Sequence, residues 1–482
     1  MRPSPRVRRW SPTALLLACC SCATTAPTSP AAEDATPDVA GLPADADPSP
    51  IDTSAPAPEI TKVWLGVEGL PAAMVGTTAK GAPLRWAVPT QGYTLDVHAE
   101  ADGPPQQAPT LESTPAAKVT PGAWQPEGKS GWRWSALVET ASADAGPVQW
   151  TATLGSQSAS LGLTVVERKP ANDPFEQPDP WLLTFSRDIG SVAVLTLPEG
   201  VTVVVTNTPN GKVDFAETLA ALGLQGGDAA FNQAVVALVR ERIVAWLRDF
   251  FHHDGAGGAT AEEAVRVQLL VEGDPALASI DAGKLSKMAI GGSAPDKPGK
   301  RQLFGLATID FRNAQANDDS SDGLGVFTFS MVRAAFAQAI VQTLLQPALP
   351  LLGGAAFGAL PGDSALVAPG FDPATLPEGP LRQRGQLFAL EVRLLSLAIA
   401  AVTAHEMGHS LGLIAPGPPP KGLLGGVDGP WVVKKQDEHH LDTAGPNLMQ
   451  TGDSFNAAEL LSQTPAFSAL ELGYLRRRLL VL

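Results

Sequence analysis

The hydrophobic and polar positions divide the chain into an early part with strand-like runs and a later part with helical periods. Between residues 59 and 168, short apolar runs such as TKVWLGV, YTLDVHA and VQWTATL recur between breaks rich in glycine, proline and aspartate. None of these runs shows a helical period. Short strands separated by turn signals predict an all-β sandwich over residues 59–168.

A linker rich in proline and aspartate, residues 169–180, separates this part from a region of mixed character. Helical periods are clearest at residues 229–251 and 388–414. The remaining elements expected in this region are strands at 265–271, 304–311 and 326–331 and a last helix at 467–480. The predicted fold class is therefore multidomain, an all-β sandwich followed by an α+β domain over residues 181–482.

The first 58 residues carry export signals and cannot supply a core. A basic stretch, MRPSPRVRRW, precedes the apolar residues ALLLA, which is typical of a signal peptide over residues 1–18. The quartet that ends at Cys19 resembles a bacterial lipobox, which implies cleavage before Cys19 and lipid attachment to its thiol. Because Cys20 is not aspartate, the resemblance implies the outer membrane, with secretion as the alternative. Residues 19–58, rich in proline, alanine and acids, are expected to form an extended tether.

Composition and charge exclude several classes of protein. Of the 482 residues, 44% are apolar and 17% are charged, which is enough apolar surface for a core and excludes a wholly disordered chain. The net charge is −15, and four arginines lie within the predicted signal peptide, so the mature surface is more acidic still. Such a surface repels phosphate backbones, and no nucleic-acid partner is expected. All three cysteines lie within residues 19–22, which excludes a zinc–thiolate site in the folded body.

One helical stretch carries residues with metal-ligand spacing. His405 and His409 lie four residues apart, so both imidazoles project from one helix face and can reach one ion. Zinc accepts such nitrogen ligands at about 2.0–2.1 Å. Glu406 lies beside the pair, where its carboxylate can hold a water molecule and accept its proton. Gly412 costs about 1 kcal/mol relative to alanine within a helix, so a sharp turn of the chain is expected there.

The segment HEMGHSLGL, followed downstream by GPNLM, resembles the metzincin clan of zinc metallopeptidases. The resemblance implies a zincin-like catalytic domain in which His405 and His409 bind zinc and Glu406 is the general base. It also implies that the helix ends at Gly412 and that Met449 lies in a methionine turn beneath the metal. The sandwich is similar to bacterial immunoglobulin-like modules in its strand pattern alone.

The chain departs from the clan at the third metal ligand. The usual position, three residues after the glycine, is Ala415, which cannot bind zinc, and an insertion over residues 416–436 follows. A ring nitrogen is chemically suitable, and two histidines remain near the methionine turn. We therefore predict His440 as the third ligand, with His439 as the alternative. Two carboxylates stay open as further alternatives, namely those of Asp442 and Glu459.

A second and partial metal signal lies in the acidic loop DDSSDG. The oxygens of Asp318, Ser320 and Asp322, followed by Gly323, match the start of a Ca²⁺-binding loop. The twelfth position of that pattern is Phe329, where a bidentate glutamate is expected. A solvated acidic loop is therefore the competing interpretation.

Together these patterns predict a lipid-anchored zinc endopeptidase in which Glu406 activates a water molecule against a peptide bond. Its expected partners are a protein or peptide substrate, bound extended along the strand predicted at 326–331, and the membrane that holds its lipid. The competing function is a non-enzymatic surface or adhesion lipoprotein, in which the sandwich binds a ligand and the zinc site is structural or degenerate. Glu406 favours the enzyme, because a structural site has no use for a base at that position.

Overall fold

A computed structural model of the chain gives the arrangement of both predicted regions. The residues that it describes are 58–71, 86–127, 130–170, 173, 175, 178–192, 205–206, 209–252, 265–294, 303–310, 313–321, 323–336, 338–413, 440, 446–450 and 457–481. The predicted signal peptide, the lipid-modified Cys19 and the tether up to residue 57 lie outside these described residues.

The described elements of the first region are strands, apart from a short 3-10 helix at Ser142–Asp144. The strands are β1 (Ile60–Val67), β2 (Leu70–Pro71), β3 (Trp86–Pro89), β4 (Tyr93–Ala101), β5 (Thr110–Thr114), β6 (Lys118–Thr120), β7 (Trp124–Glu127), β8 (Gly131–Glu139), β9 (Gly146–Leu154) and β10 (Gln157–Val166). One antiparallel sheet has the order β2-β1-β4-β8-β6, with β7 also paired to β8. The other has the order β3-β10-β9-β5, in which β3 and β10 run parallel.

The inward side chains of the two sheets share one apolar core. Successive residues of β9 alternate between buried and more exposed positions, as expected for a strand with one face against a core. Trp150 Nε1 on β9 donates a hydrogen bond of 2.8 Å to Tyr93 Oη on β4, which joins the two sheets inside that core. The predicted β-sheet region at the N-terminal side is therefore confirmed.

A parallel sheet lies at the centre of the second region. The strands of this region are β11 (Asp179–Thr184), β12 (Ser191–Val192), β13 (Val205–Thr206), β14 (Val267–Val271), β15 (Ser286–Ala289), β16 (Gly305–Leu306), β17 (Asp318–Asp319), β18 (Gly325–Val326) and β19 (Leu480–Val481). Strands β14-β11-β15-β17 form the sheet, and each neighbouring pair is parallel. Strand β16 pairs antiparallel with β18, which a bridge between Ile290 and Val326 joins to the end of β15.

The described residues of the second region also form α-helices. They are α1 (Asp214–Ala221), α2 (Ala229–Phe250), α3 (Thr328–Phe336), α4 (Ala339–Leu345), α5 (Pro380–Ser410), α6 (Ala457–Ser462) and α7 (Ala469–Leu475). The buried side chains of α2 include Val235, Val239 and Ile243, spaced every four residues, and α2 packs against α5. A region of helices and strands after the β-sheet region is therefore confirmed.

Two strand predictions in this region are wrong in extent. The strand predicted at 326–331 ends at Val326, and the helix α3 follows from Thr328. The spacing of the buried Phe329, Val332 and Phe336 is helical, and it becomes visible only when the window extends past residue 331. The strand predicted at 304–311 is reduced to the two residues of β16.

The helix α5 is the central element of the second region. It is long and apolar enough to cross a membrane by length and composition, but most of its apolar stretch is buried inside the protein. Every residue from 399 to 410 is buried. A core helix surrounded by other elements passes the same composition test as a membrane span, and α5 is such a core helix.

The end of the chain returns to the first region. Strand β19 pairs antiparallel with β3, with Leu480 opposite Ala87. Arg477 Nε donates to Asp173 Oδ2 at 2.8 Å, and Arg478 Nη1 donates to Thr94 Oγ1 at 2.8 Å. The last residues therefore tie the helical region to the sandwich.

Candidate metal centre

The last turns of α5 carry the predicted metal ligands on a face that is enclosed by the protein. His405 is 8% exposed, Glu406 6% and His409 7%. The helix reaches this point without interruption because the stretch after Pro380 contains no further proline and is rich in alanine and leucine. The four-residue spacing then places the two imidazoles one turn apart, as the sequence predicts.

The two imidazoles meet at their Nε2 atoms. His405 Nε2 and His409 Nε2 lie 3.2 Å apart, and the ring planes are nearly perpendicular, at 87°. Two nitrogens that bind one tetrahedral zinc at about 2.0–2.1 Å lie about 3.3–3.4 Å from each other. The observed separation therefore fits two ligands of a single ion.

A backbone carbonyl fixes the tautomer of His405. Its Nδ1 lies 2.7 Å from the oxygen of Leu448, which can only accept a hydrogen bond. Nδ1 therefore carries the proton, and the lone pair of Nε2 faces His409. Metal-binding histidines are commonly oriented by such a contact at the opposite ring nitrogen.

His440 joins the pair from the distant segment that sequence reasoning favoured. Its ring centroid lies 5.2 Å from that of His405 and 5.7 Å from that of His409. One ligand atom from each of the three histidines lies within 4.8 Å of the other two. His439 and Asp442 lie outside the described residues, and Glu459 does not belong to this group.

The donor set suits zinc. Three imidazole nitrogens are borderline-soft ligands, and three protein ligands leave a fourth position for water or substrate. The group is also free of thiolates, since all cysteines lie before residue 23. These residues could therefore hold one divalent ion in an open coordination shell.

Glu406 lies against the backbone of β16. A methyl group at Gly305 would overlap the Glu406 carboxyl group, so the strand passes directly over that side chain. Burial, together with a smaller contribution from the negative charge of Asp319, raises the pKa of Glu406 to about 8. A bound cation would favour the ionised carboxylate and oppose both effects.

The predicted turn at Gly412 is confirmed. Gly412 has φ +87°, and α5 ends two residues before it. The Gly412 amide donates to His409 O at 3.1 Å, and the Leu413 amide donates to Gly408 O at 3.0 Å. This pair of bonds is a Schellman motif, which satisfies the last carbonyls of the helix and turns the chain away.

Met449 packs beneath the histidine-bearing turn of α5. Met449 is fully buried, and a side chain at Gly408 would overlap its Sδ atom. Gly408 therefore permits the close contact between the helix and the segment that contains Leu448. Sequence reasoning missed this requirement, although a second glycine inside a helix is a visible signal of it.

The C-terminal segment holds the methionine turn and the helix end in place. Asn447 Oδ1 accepts from the Met449 amide at 2.7 Å, and the Leu448 amide donates to Ala466 O at 3.0 Å. Asn447 also contacts Glu471, whose pKa burial raises to about 7. Tyr474 Oη donates to Leu411 O at 2.8 Å. Helix α7 thus supports both sides of the histidine cluster.

A buried polar network beside the site was also missed. Asp319 Oδ2 accepts from Ser410 Oγ at 2.6 Å, and its Oδ1 accepts from the Thr308 amide at 2.8 Å. Asn317 Nδ2 donates to Ser410 O at 3.1 Å. Asp319 is fully buried and links β17 to the end of α5.

The neighbouring acidic loop gives no support to the Ca²⁺ interpretation. Asp318 Oδ2 accepts from Lys287 Nζ at 2.8 Å, and this hydrogen bond is the main reason why the pKa of Asp318 is lowered. Ser320 Oγ donates to the same carboxylate. Asp322 lies outside the described residues, so Ca²⁺ binding there stays a prediction.

Comparison with known protein-family models finds no match to this chain, and a search of curated proteins also finds none. The chemistry of the site is therefore the basis for assigning a function.

Proposed function

We propose that the protein is a metzincin-like zinc endopeptidase, exported and anchored to the outer membrane by a lipid on Cys19. The observation that carries the proposal is the convergence of His405, His409 and His440 with Glu406 beside them in an enclosed site. His440 comes from beyond the insertion that replaces the clan's usual ligand position. The position of His440 beside His405 and His409 supports a metal site and argues against a chance pair of histidines.

The protein side chains divide the work of hydrolysis. When bound, zinc supplies a Lewis acid that polarises a carbonyl group and acidifies water. Glu406 accepts a proton from the attacking water at its carboxylate and delivers it to the nitrogen of the leaving amine. Leu448 O holds His405 in the tautomer that directs Nε2 into the site. The enclosed position of Glu406 keeps bulk water from competing for its proton.

Strand β16 is the best candidate for substrate alignment, in place of the segment 326–331. It passes over Glu406, and within the described residues no strand pairs with the edge of β16 opposite β18. An extended peptide that pairs with this edge would bring a backbone carbonyl near the histidines. Leu306 on this strand is 37% exposed and would lie next to such a peptide.

A peptide-library cleavage assay with the full mature chain tests the proposal. We expect cleavage that stops when a chelator removes the metal and returns when one equivalent of zinc is added. Cleavage that survives exhaustive chelation would contradict a zinc enzyme. Stoichiometric zinc without any cleavage would favour the adhesion lipoprotein, in which the ion is structural.

The lipid anchor has a separate test. Expression with a radiolabelled fatty acid should label the wild-type chain and leave a Cys19→Ser variant unlabelled and released from membranes. Label on the Cys19→Ser variant would contradict attachment at this residue. The Cys19→Ser variant does not change the metal site. The lipid anchor and the zinc peptidase activity can therefore be refuted independently.

A further inference from the structure

A cavity lies along α5, beside the part of the helix that precedes the histidines. The helices α3, α4, α5 and α6 surround it, and it has a volume of about 150 Å³. Its walls are formed almost entirely by aliphatic side chains, for example Leu224, Val341 and Leu460. Ile340, which is 43% exposed, lies at its opening. An apolar cavity of comparable size, about 150 Å³, admits a ligand as large as benzene.

One carboxyl group lines this apolar space. Glu391 is 3% exposed, and neither of its oxygens has a hydrogen-bond partner within the part of the chain that the structure describes. Arg384 of the same helix acts on Glu391 through its charge alone, because its guanidinium donates to Asp363 at 2.6 and 2.8 Å. A buried acid without a hydrogen-bond partner costs free energy, since it has lost its hydration and has no donor to replace it.

The cavity extends along α5, as the positions of its lining residues on that helix show. Glu391, Leu395, Ala398 and Val402 line it, with spacings of four, three and four residues, and so form one stripe on α5. The rise between residues 391 and 402 is about 16 Å. The other polar side chain in the lining is Gln338, whose Oε1 accepts from the Ala457 amide at 3.1 Å. Gln338 is thus engaged through its Oε1, and the acidic group among the lining residues of this channel is Glu391.

We propose that the cavity binds an unbranched aliphatic group that ends in a primary ammonium, with the ammonium paired to Glu391. An ammonium supplies both the opposite charge and the donors that the carboxyl oxygens lack. A ligand carboxylate would add a second negative charge, and a guanidinium would bring five donors to a channel with few acceptors. Burial raises the pKa of Glu391 to about 9, although the charge of Arg384 opposes this rise, and a bound ammonium would favour the ionised carboxylate.

Two sources supply this chemistry, a free alkylamine and the lysine side chain of a peptide. Calorimetric titration of the full mature chain with butylamine, pentylamine and hexylamine tests the first. Titration with a lysine-containing peptide and its norleucine counterpart tests the second. We expect saturable binding of one amine per chain, with affinity rising about three- to fourfold per methylene. Binding of either the alkylamines or the lysine peptide supports the site. If neither binds, the proposal is overturned.

Matched ligands and variants separate the charge from the cavity. Hexanol should bind about 10- to 100-fold more weakly than hexylamine to the wild type. Glu391→Gln should lose this preference, while the exposed Glu378→Gln should keep it. Ala398→Leu, which fills the channel, should abolish binding of both ligands. Equal affinity for hexanol and hexylamine, or unchanged amine binding by Glu391→Gln, would overturn the proposal. None of these readouts depends on zinc or on peptide cleavage.

Discussion

At the residue scale, His405 of the histidine cluster is oriented by an uncharged backbone group. His405 is held by the Leu448 carbonyl, and the acidic group nearest the cluster in sequence, Glu406, faces the backbone of Gly305. A neutral partner at Nδ1 fixes the tautomer without adding negative charge behind the metal. A bound cation would favour the ionised form of Glu406, which is the form that a general base needs.

Replacing Glu406 with glutamine should separate metal binding from catalysis. The amide keeps the shape of the side chain but cannot accept a proton from water. We expect peptide cleavage to fall by about 10²- to 10⁴-fold while zinc content is unchanged, measured by hydrolysis rate and elemental analysis. The exposed Glu241→Gln is the matched control and should retain full activity. Full activity of the Glu406→Gln variant would contradict the role of Glu406 as the general base.

Replacing His440 should distinguish it from its neighbour. Loss of a contact outside the coordination shell costs about 10- to 100-fold in metal affinity, so loss of a direct ligand should cost at least as much. We expect His440→Ala to lose zinc at concentrations that saturate His439→Ala, as measured by competition with a chromophoric chelator. Equal zinc retention by the two variants would refute the assignment.

At the element scale, the way in which α5 ends determines the position of the histidine cluster relative to the segment that contains Met449. The Schellman motif at Gly412 turns the chain, and Tyr474 of α7 holds the last turn through the Leu411 carbonyl. The turn that contains Met449 is held by the carbonyl of Ala466, just before α7, and by Glu471, within α7. Two elements that are far apart in sequence therefore fix the relative position of the helix and the turn.

Gly412→Ala should destabilise the fold through backbone strain. A residue with a Cβ atom at φ +87° costs about 1–2 kcal/mol in the left-handed region. We expect the free energy of unfolding to fall by about that amount in urea denaturation. Gly323→Ala is the control, because Gly323 has open space around it and no positive φ, and it should change stability by less than about 0.5 kcal/mol. An unchanged Gly412→Ala variant would contradict the turn.

Sequence patterns predicted an element correctly where the pattern repeated many times within that one element. The helix predicted at 229–251 appears as Ala229–Phe250, because its apolar period repeats over six turns. The segment 326–331 failed because six apolar and hydroxyl residues fit a strand as well as a helix. The Met449–Gly408 contact and the Asp319 network lay beyond sequence reasoning, since each joins segments that the sequence does not relate.

At the scale of the whole molecule, several buried carboxyl groups carry raised pKa values. Burial raises the pKa of Glu68 to about 7, of Glu471 to about 7 and of Glu391 to about 9. Above the ordinary pKa of glutamate, the unfolded chain releases these protons while the folded chain still holds them. The folded state therefore binds more protons, and its stability should decline as the pH rises.

We expect the free energy of unfolding of the metal-free chain to fall between pH 5 and pH 9, measured by urea denaturation. Glu391→Gln removes one titrating group, so its stability should fall less steeply up to about pH 9. The exposed Glu241→Gln should follow the wild-type curve. A Glu391→Gln curve parallel to that of the wild type would show that this carboxyl group titrates normally.

The stoichiometry of bound zinc tests the central claim most directly. Mature chain should be loaded with excess zinc, dialysed, and measured by elemental analysis alongside a His405→Ala, His409→Ala double variant. We predict one zinc per wild-type chain and none in the double variant. A wild-type chain that retains no metal, or as little as the double variant, would contradict the assignment of this cluster as a metal centre.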